Sequence, residues 1–278
     1  MPAHPARRCR QQAFTLVEMV LVIALLGFIV TLVIVLAGRP LAGYAELRRR
    51  AELTHIAESA LHTMARDIRS ALPNSLRISG NALEFIHATG GYRYRAQHSD
   101  QAGSDLLDFT QPDSSFQALG PVDIPAGSRL VVHHTGQAGA DAYAGDPVIT
   151  AAGTGFTVAS AAGESLVTLT AGHRFPFASP RQRFYVVDTP VSYLCDTASG
   201  QLTRYQGYAL QASQPTNAGV APLAGASRAL AAGKVTACSF TYAPGTPARS
   251  AVVTLDLTVS DGAERVRLLE QVHVNNGI

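Results

Sequence analysis

The sequence predicts an α+β protein in which one long N-terminal helix, apolar in its first half and amphipathic in its second, precedes a mainly antiparallel β head. Three observations carry that expectation. Residues 14–38 contain a single charge, Glu18. Residues 53–72 then repeat apolar side chains at three- and four-residue steps, the period of one helix face. From residue 74 the pattern changes to short period-two runs separated by Gly, Pro, Asp and Ser.

The apolar run comes first. At about 1.5 Å per residue, a helix over 14–38 covers the roughly 30 Å hydrocarbon core of a bilayer. A carboxylate in such a span costs on the order of 2.5–3.5 kcal/mol at mid-bilayer and less near its edge, so Glu18 needs a partner or a task. An ordinary secretory signal is the competing reading, because Val35-Leu36-Ala37 before Gly38 imitates a small-residue cleavage site. The run is longer than the usual 7–15 residue apolar region of such signals, and an acid near its start is unfavourable there. Arginines flank both ends, Arg7, Arg8 and Arg10 before and Arg39 and Arg48–Arg50 after, so charge does not fix the orientation.

Gly38-Arg39-Pro40 predicts a kink or local melting, since proline removes one helical hydrogen bond. Beyond it Leu53, Ala57, Ala60, Leu61, Met64, Ile68, Ala71 and Leu72 form one stripe, expected to lie against a sheet. Pro73-Asn74 predicts the end of the helix near residue 72. The cluster Arg48-Arg49-Arg50 stands between Glu46 and Glu52 and reads as a solvated face. No concentrated basic surface suggests nucleic acid.

In the head, Val253, Leu255, Leu257 and Val259 alternate with polar residues, Asp261-Gly262 follows, and Val266, Leu268, Val272 and Val274 return, the pattern of a hairpin. Further strands are expected at 82–87, 129–134, 147–150, 155–159, 165–170, 184–188, 191–195 and 235–242, with long loops near 136–145 and 216–233. A head of about 200 residues is large enough to bury its own core. Its chemistry is sparse. His133 and His134 are adjacent, so on a strand they would face opposite sides and serve as ordinary strand residues. Asp141 and Asp146 lack the order of a calcium loop and read as a turn. No G-x-S-x-G elbow, phosphate loop or H-E-x-x-H is present. No catalytic residue, cofactor or metal is expected.

Phe14-Thr15-Leu16-Val17-Glu18, behind an arginine-bearing leader and ahead of about twenty apolar residues, resembles the type III signal of type IV pilins and type II secretion pseudopilins. The resemblance implies a pilin fold and cleavage by prepilin peptidase between Ala13 and Phe14, with N-methylation of Phe14. It gives Glu18 an assembly role, pairing with a neighbouring subunit's N-terminal amine, an attraction that low dielectric strengthens. Ala13 departs from the glycine usual before the cut. The implied organisation is a leader over 1–13, a transmembrane and filament-core helix over 14–38, an amphipathic helix over 39–73, and a periplasmic β head over 74–278.

Loss of the leader takes three arginines from the 22 basic residues, leaving 19 against 20 acids. It also removes Cys9, leaving Cys195 and Cys238. In an exported head these are expected to pair, for roughly 4 kcal/mol on the chain-entropy account, with two buried thiols as the alternative.

Ala71-Leu72-Pro73-Asn74-Ser75-Leu76-Arg77, Val191-Ser192-Tyr193-Leu194-Cys195, and Leu268 to Asn275 are similar to segments of MshO-type minor pilins, from the mannose-sensitive haemagglutinin (MSHA) pilus. J-type pseudopilins and W-type minor pilins share the layout. The implied role is a non-enzymatic minor pilin at the tip or start of a filament. A type II secretion pseudopilin and a membrane-anchored adhesin or binding protein are the alternatives. The implied partners are prepilin peptidase, other major and minor pilins, the inner membrane and the pilus assembly machinery. The implied address is the inner membrane with a cytoplasmic N-terminus and a periplasmic head, and then the filament.

Overall fold

The computed structural model describes residues 15–98, 104–161, 163–245, 250–262, 264–274 and 276–277. The chain divides into two compact units, Met1–Ala51 and Glu52–Ile278. Helix α1 spans Leu16–Arg69 and has residues in both units.

The described residues of the first unit, from Leu16 onward, are helical. Within it Leu16–Leu36 forms a 21-residue segment of mean hydropathy 3.3, none of it buried. That length and composition suit a membrane span.

The second unit holds the rest of α1 and the β structure. Leu53, Ala57, Ala60, Leu61, Met64, Ala65 and Ile68 of α1 are all buried, as their spacing requires. The helix stops at Arg69, short of the expected residue 72, because the next residues pair with a strand. The Leu72 N–H donates to the Ile86 carbonyl at 2.8 Å, and the Ala88 N–H donates to the Ser70 carbonyl at 2.8 Å. Competition from a sheet, and not Pro73 alone, sets the boundary.

Among the described residues the strands are β1 (Arg77–Ser79), β2 (Ala82–Tyr94), β3 (Asp113–Leu119), β4 (Arg129–Val131), β5 (Phe156–Ala161), β6 (Glu164–His173), β7 (Arg183–Asp196), β8 (Gln201–Gln206), β9 (Ser227–Ala232), β10 (Val235–Ala243), β11 (Ala251–Asp261) and β12 (Glu264–Val274). All pairings are antiparallel. One sheet has the order β5-β6-β3-β2-β7-β8-β9, with β1 also paired to β2 and β4 to β7. The other is β10-β11-β12, and it contains the expected hairpin with Asp261 opposite Glu264.

Several expectations shift. Residues 184–188 and 191–195 belong to one strand, β7, which passes through Pro190 because the pairing with β2 is already irregular there. β2 continues seven residues beyond the expected 87. Within that extension glycine makes room for aromatic rings. A Cβ on Gly90 would lie 2.6 Å from the Tyr92 hydroxyl, and one on Gly91 2.9 Å from the Tyr185 ring. β4 ends at Val131, and 147–150 contributes only a bridge between Ile149 and Val131. Strands β1, β3, β8 and β9 were not expected. β9 lies inside the Gly- and Ala-rich stretch read as a loop.

Period two explains why the centre of the larger sheet is buried on both faces. Leu83 and Phe85 of β2, with Val191, Tyr193 and Cys195 of β7, join the buried face of α1 and the inward residues of β11, Val253, Leu255, Leu257 and Val259. The alternate residues turn the other way. Ala82 and Leu194 meet Tyr205, Tyr208 and Leu223. Glu84 lies among them and is fully buried. Arg77 Nε donates to the Glu84 carboxylate at 2.6 Å and the Tyr208 hydroxyl donates to it at 2.8 Å. Arg77 also stacks over the Tyr143 ring at 3.6 Å and donates to the Gln211 and Ala212 carbonyls, tying a loop to the sheet.

Burial pushes the Glu84 carboxyl above its ordinary range, and Arg77 opposes that rise. A carboxyl raised in the folded state stabilises the fold most below its unfolded value, and that contribution is lost as pH rises through the folded value. Arg77→Met keeps the stem but removes the opposing charge. It should therefore cost about 3–5 kcal/mol at neutral pH, with the loss shrinking as pH falls toward the ordinary carboxyl range near about 4.3. Urea titrations of both chains at neutral and acid pH measure this. A loss of the same size at every pH contradicts it.

Candidate functional site

The residues singled out by sequence fall in two places. Ala13 and Phe14 lie outside the described residues. Glu18 stands in the first turn of α1, exposed, as the acid of that turn. Its backbone N–H donates to the Thr15 hydroxyl at 3.3 Å and to the Thr15 carbonyl at 3.1 Å. Thr15 is thus the N-cap and Glu18 the third helical residue, the Thr-x-x-Glu spacing of a capping box. The spacing was present in the sequence, although Thr15 was not singled out. An acid here also meets the positive end of the helix dipole, which favours it by roughly 0.3–1 kcal/mol. Among the described residues no side chain of the same chain pairs with the Glu18 carboxylate.

A family model for the prokaryotic N-terminal methylation motif matches residues 8–34. The motif supports a prepilin-like subunit. It implies processing by prepilin peptidase and assembly with other pilins, and it points to a structural subunit rather than an enzyme. The prepilin motif together with the apolar segment Leu16–Leu36 fits membrane anchoring. The layout of a long apolar helix followed by antiparallel sheet agrees with a pilin fold. No curated protein and no solved structure matches the chain.

In the head a disulfide joins Cys195 of β7 to Cys238 of β10, with their Cα atoms 6.6 Å apart. It links the two sheets, which share no ladder. A second link runs to α1. The Asp67 carboxylate accepts from Arg204 Nε at 2.6 Å and from the Tyr193 hydroxyl at 2.8 Å. Burial first, and then the Asp67 charge beside it, raise the Tyr193 hydroxyl well above its ordinary value and keep it a donor.

The histidine reading is corrected. His133 and His134 lie beyond β4, not on a strand, and His133 has φ +60°. His133 packs its ring on Phe177 at 5.7 Å between centroids. The His134 Nδ1 accepts from the Ala142 N–H at 3.1 Å, so its proton sits on Nε2, which is buried without a partner. Burial lowers the pKa of both rings and keeps them neutral. Asp141 and Asp146 form a turn. Asp146 accepts from the Asp141 N–H at 2.8 Å, and Asp141 accepts from the Tyr143 N–H at 2.9 Å. Among the described residues no three or more His, Cys, Asp or Glu converge as metal ligands.

Replacing Cys195 and Cys238 together by Ser should lower head stability by about 2–5 kcal/mol, because the covalent link between sheets also restricts the unfolded chain. Denaturant midpoints measure the loss, and alkylation without reduction should label neither thiol of the native protein. An unchanged midpoint, or two freely labelled thiols, contradicts the bond.

Proposed function

We propose that this chain is a minor pilin of a type IV filament of the MSHA type, cut between Ala13 and Phe14, N-methylated on Phe14, and located at the tip or start of the filament. The observation that carries the reading is Glu18, an exposed acid at the head of an apolar span inside a matched prepilin motif. A carboxylate and a neighbour's new N-terminal amine are each penalised alone in low dielectric and attract when paired. Subunits in register are then favoured over subunits out of register.

Support for the MSHA type rests on the three segments quoted above. They map to the helix exit, to the C-terminal end of β7 and to β12, and they include the buried residues Leu72, Val191, Tyr193, Val272 and Val274. They describe the framework of the head more than any surface. A type II secretion pseudopilin draws on the same motif. The terminal position rests on size, since a head of about 200 residues is bulky for a repeating lattice. An end position removes neighbours on one side.

The capping geometry supplies a competing reason for an acid at position 18, and one pair of variants separates the two. Glu18→Gln keeps a capping-box side chain but removes the charge, whereas Glu18→Val removes both. Quantitative proteomics of sheared filaments should find the native chain well below the major subunit, and both variants strongly depleted while still inserted in the membrane. Normal incorporation of Glu18→Gln would show that the acid serves only to start the helix.

A further inference from the structure

Strand pairing in the larger sheet sets two like charges side by side. Arg93 of β2 and Arg183 of β7 are direct partners across the ladder. The Tyr94 N–H donates to the Gln182 carbonyl at 2.9 Å, so the neighbouring pair, Arg93 with Arg183, is one without hydrogen bonds of its own. At such a pair the Cα atoms approach to about 4.5 Å, and both side chains leave the same face of the sheet. Like charges directly opposite each other weaken a sheet, so the fold gains nothing from this arrangement.

The two charges are not offset by their neighbours. On the other side of Arg93 the ladder partner is Leu119 of β3, and the acid beyond it, Glu164, already accepts from Arg95 Nε at 3.2 Å. Arg93 Nη2 donates to the Gln182 side-chain oxygen at 3.1 Å, a neutral group that orients the guanidinium and leaves its charge unbalanced. Among the described residues no acidic side chain pairs with Arg93, Arg183 or the nearby exposed Arg181. The backbone beneath them is held in place. The Gln182 N–H donates to the Ser179 carbonyl at 2.9 Å, the Arg183 N–H donates to the Ser179 hydroxyl at 3.0 Å, and the Ser179 N–H donates to the buried Tyr94 hydroxyl at 3.0 Å.

Two guanidinium groups this close select for one kind of ligand. A cation is repelled, and a neutral molecule leaves both charges unbalanced. A carboxylate has two oxygens, and one guanidinium fork satisfies both of them. A nucleic acid strand carries one charge per phosphate and is held by an extended basic track, which a single pair does not provide. A phosphate monoester carries a charge of roughly −1.5 to −2 on three terminal oxygens, enough for two forks at once.

We propose that Arg93 and Arg183 together bind the phosphate group of a monoester, each guanidinium donating to its oxygens, with Arg181 adding to the local positive field. Leu119 beside Arg93, and Leu166 diagonal to Leu119 on β6, are exposed and lie next to whatever carries the phosphate. A soluble ester and a lipid headgroup present the same group to the pair. The site stands apart from filament assembly, since it uses no residue of the N-terminal segment. A fixed backbone limits the ordering cost of binding.

The test is phosphorus NMR on the full-length chain in maltoside micelles, which contain no phosphate. Glycerol 3-phosphate serves as the soluble monoester, dihexanoyl phosphatidic acid as the lipid form, and acetate as a competing carboxylate. A saturable shift or broadening of a phosphate signal is expected. Arg93→Gln and Arg183→Gln should each weaken binding about tenfold, and Arg183→Lys, which keeps the charge but loses the fork, should weaken it less. Both Gln variants should keep or raise the denaturant midpoint, because each removes the like-charge contact. Binding of glycerol 3-phosphate supports a soluble ester, and binding of the lipid form alone, lost in both Gln variants, supports a headgroup. No saturable binding of either form overturns the proposal, as does binding that the Gln variants leave unchanged, or acetate competing as strongly as the monoester binds. A lower midpoint in both Gln variants would show that the pair serves the fold and would overturn it too.

Discussion

The buried face of α1 from Leu53 to Ile68 is the constraint on which the head depends. Two sheets with no ladder between them both complete their cores on it, β2 and β7 from one and β11 from the other. Fully burying a Leu, Ile or Met side chain is worth about 1.5–3 kcal/mol each, and Leu53, Leu61, Met64 and Ile68 lie together on this face. Without the helix the inward residues of both sheets would face water. The polar links are placed around this core rather than in it. Asp67 ties the helix to Tyr193 and Arg204, and Cys195–Cys238 ties one sheet to the other.

Legibility in the sequence followed how local each determinant was. The stripe of α1 and the β11–β12 hairpin were readable, because each depends on spacing within a short segment. Where a distant partner decides, the reading failed. Pro73 seemed to end the helix, but pairing of Ser70 and Leu72 with β2 ends it first. The strand expected to stop at residue 87 runs on through Gly90 and Gly91, where the Tyr92 and Tyr185 rings leave no room for a larger side chain. β9 has Ala-rich composition and weak alternation, so its pairing with β8 could not be seen locally. His133 and His134 looked like strand residues, yet β4 stops at Val131 and His133 takes a positive φ.

The candidate sites divide in the same way. Glu18 stood out because one charge in an apolar run is visible without any structure, and its cap Thr15 was equally visible as Thr-x-x-Glu. The link from Asp67 to Tyr193 and Arg204 was not, because it joins α1, β7 and β8, which are far apart in the chain and carry no shared motif.

The central claim is that the apolar helix is the start of a mature pilin subunit and not a discarded signal. The two readings predict different first residues of the same exported head. Mass spectrometry of the native N-terminus decides between them directly: the account predicts a chain beginning with N-methylated Phe14, with Glu18 retained, and a chain beginning at Gly38 would contradict it.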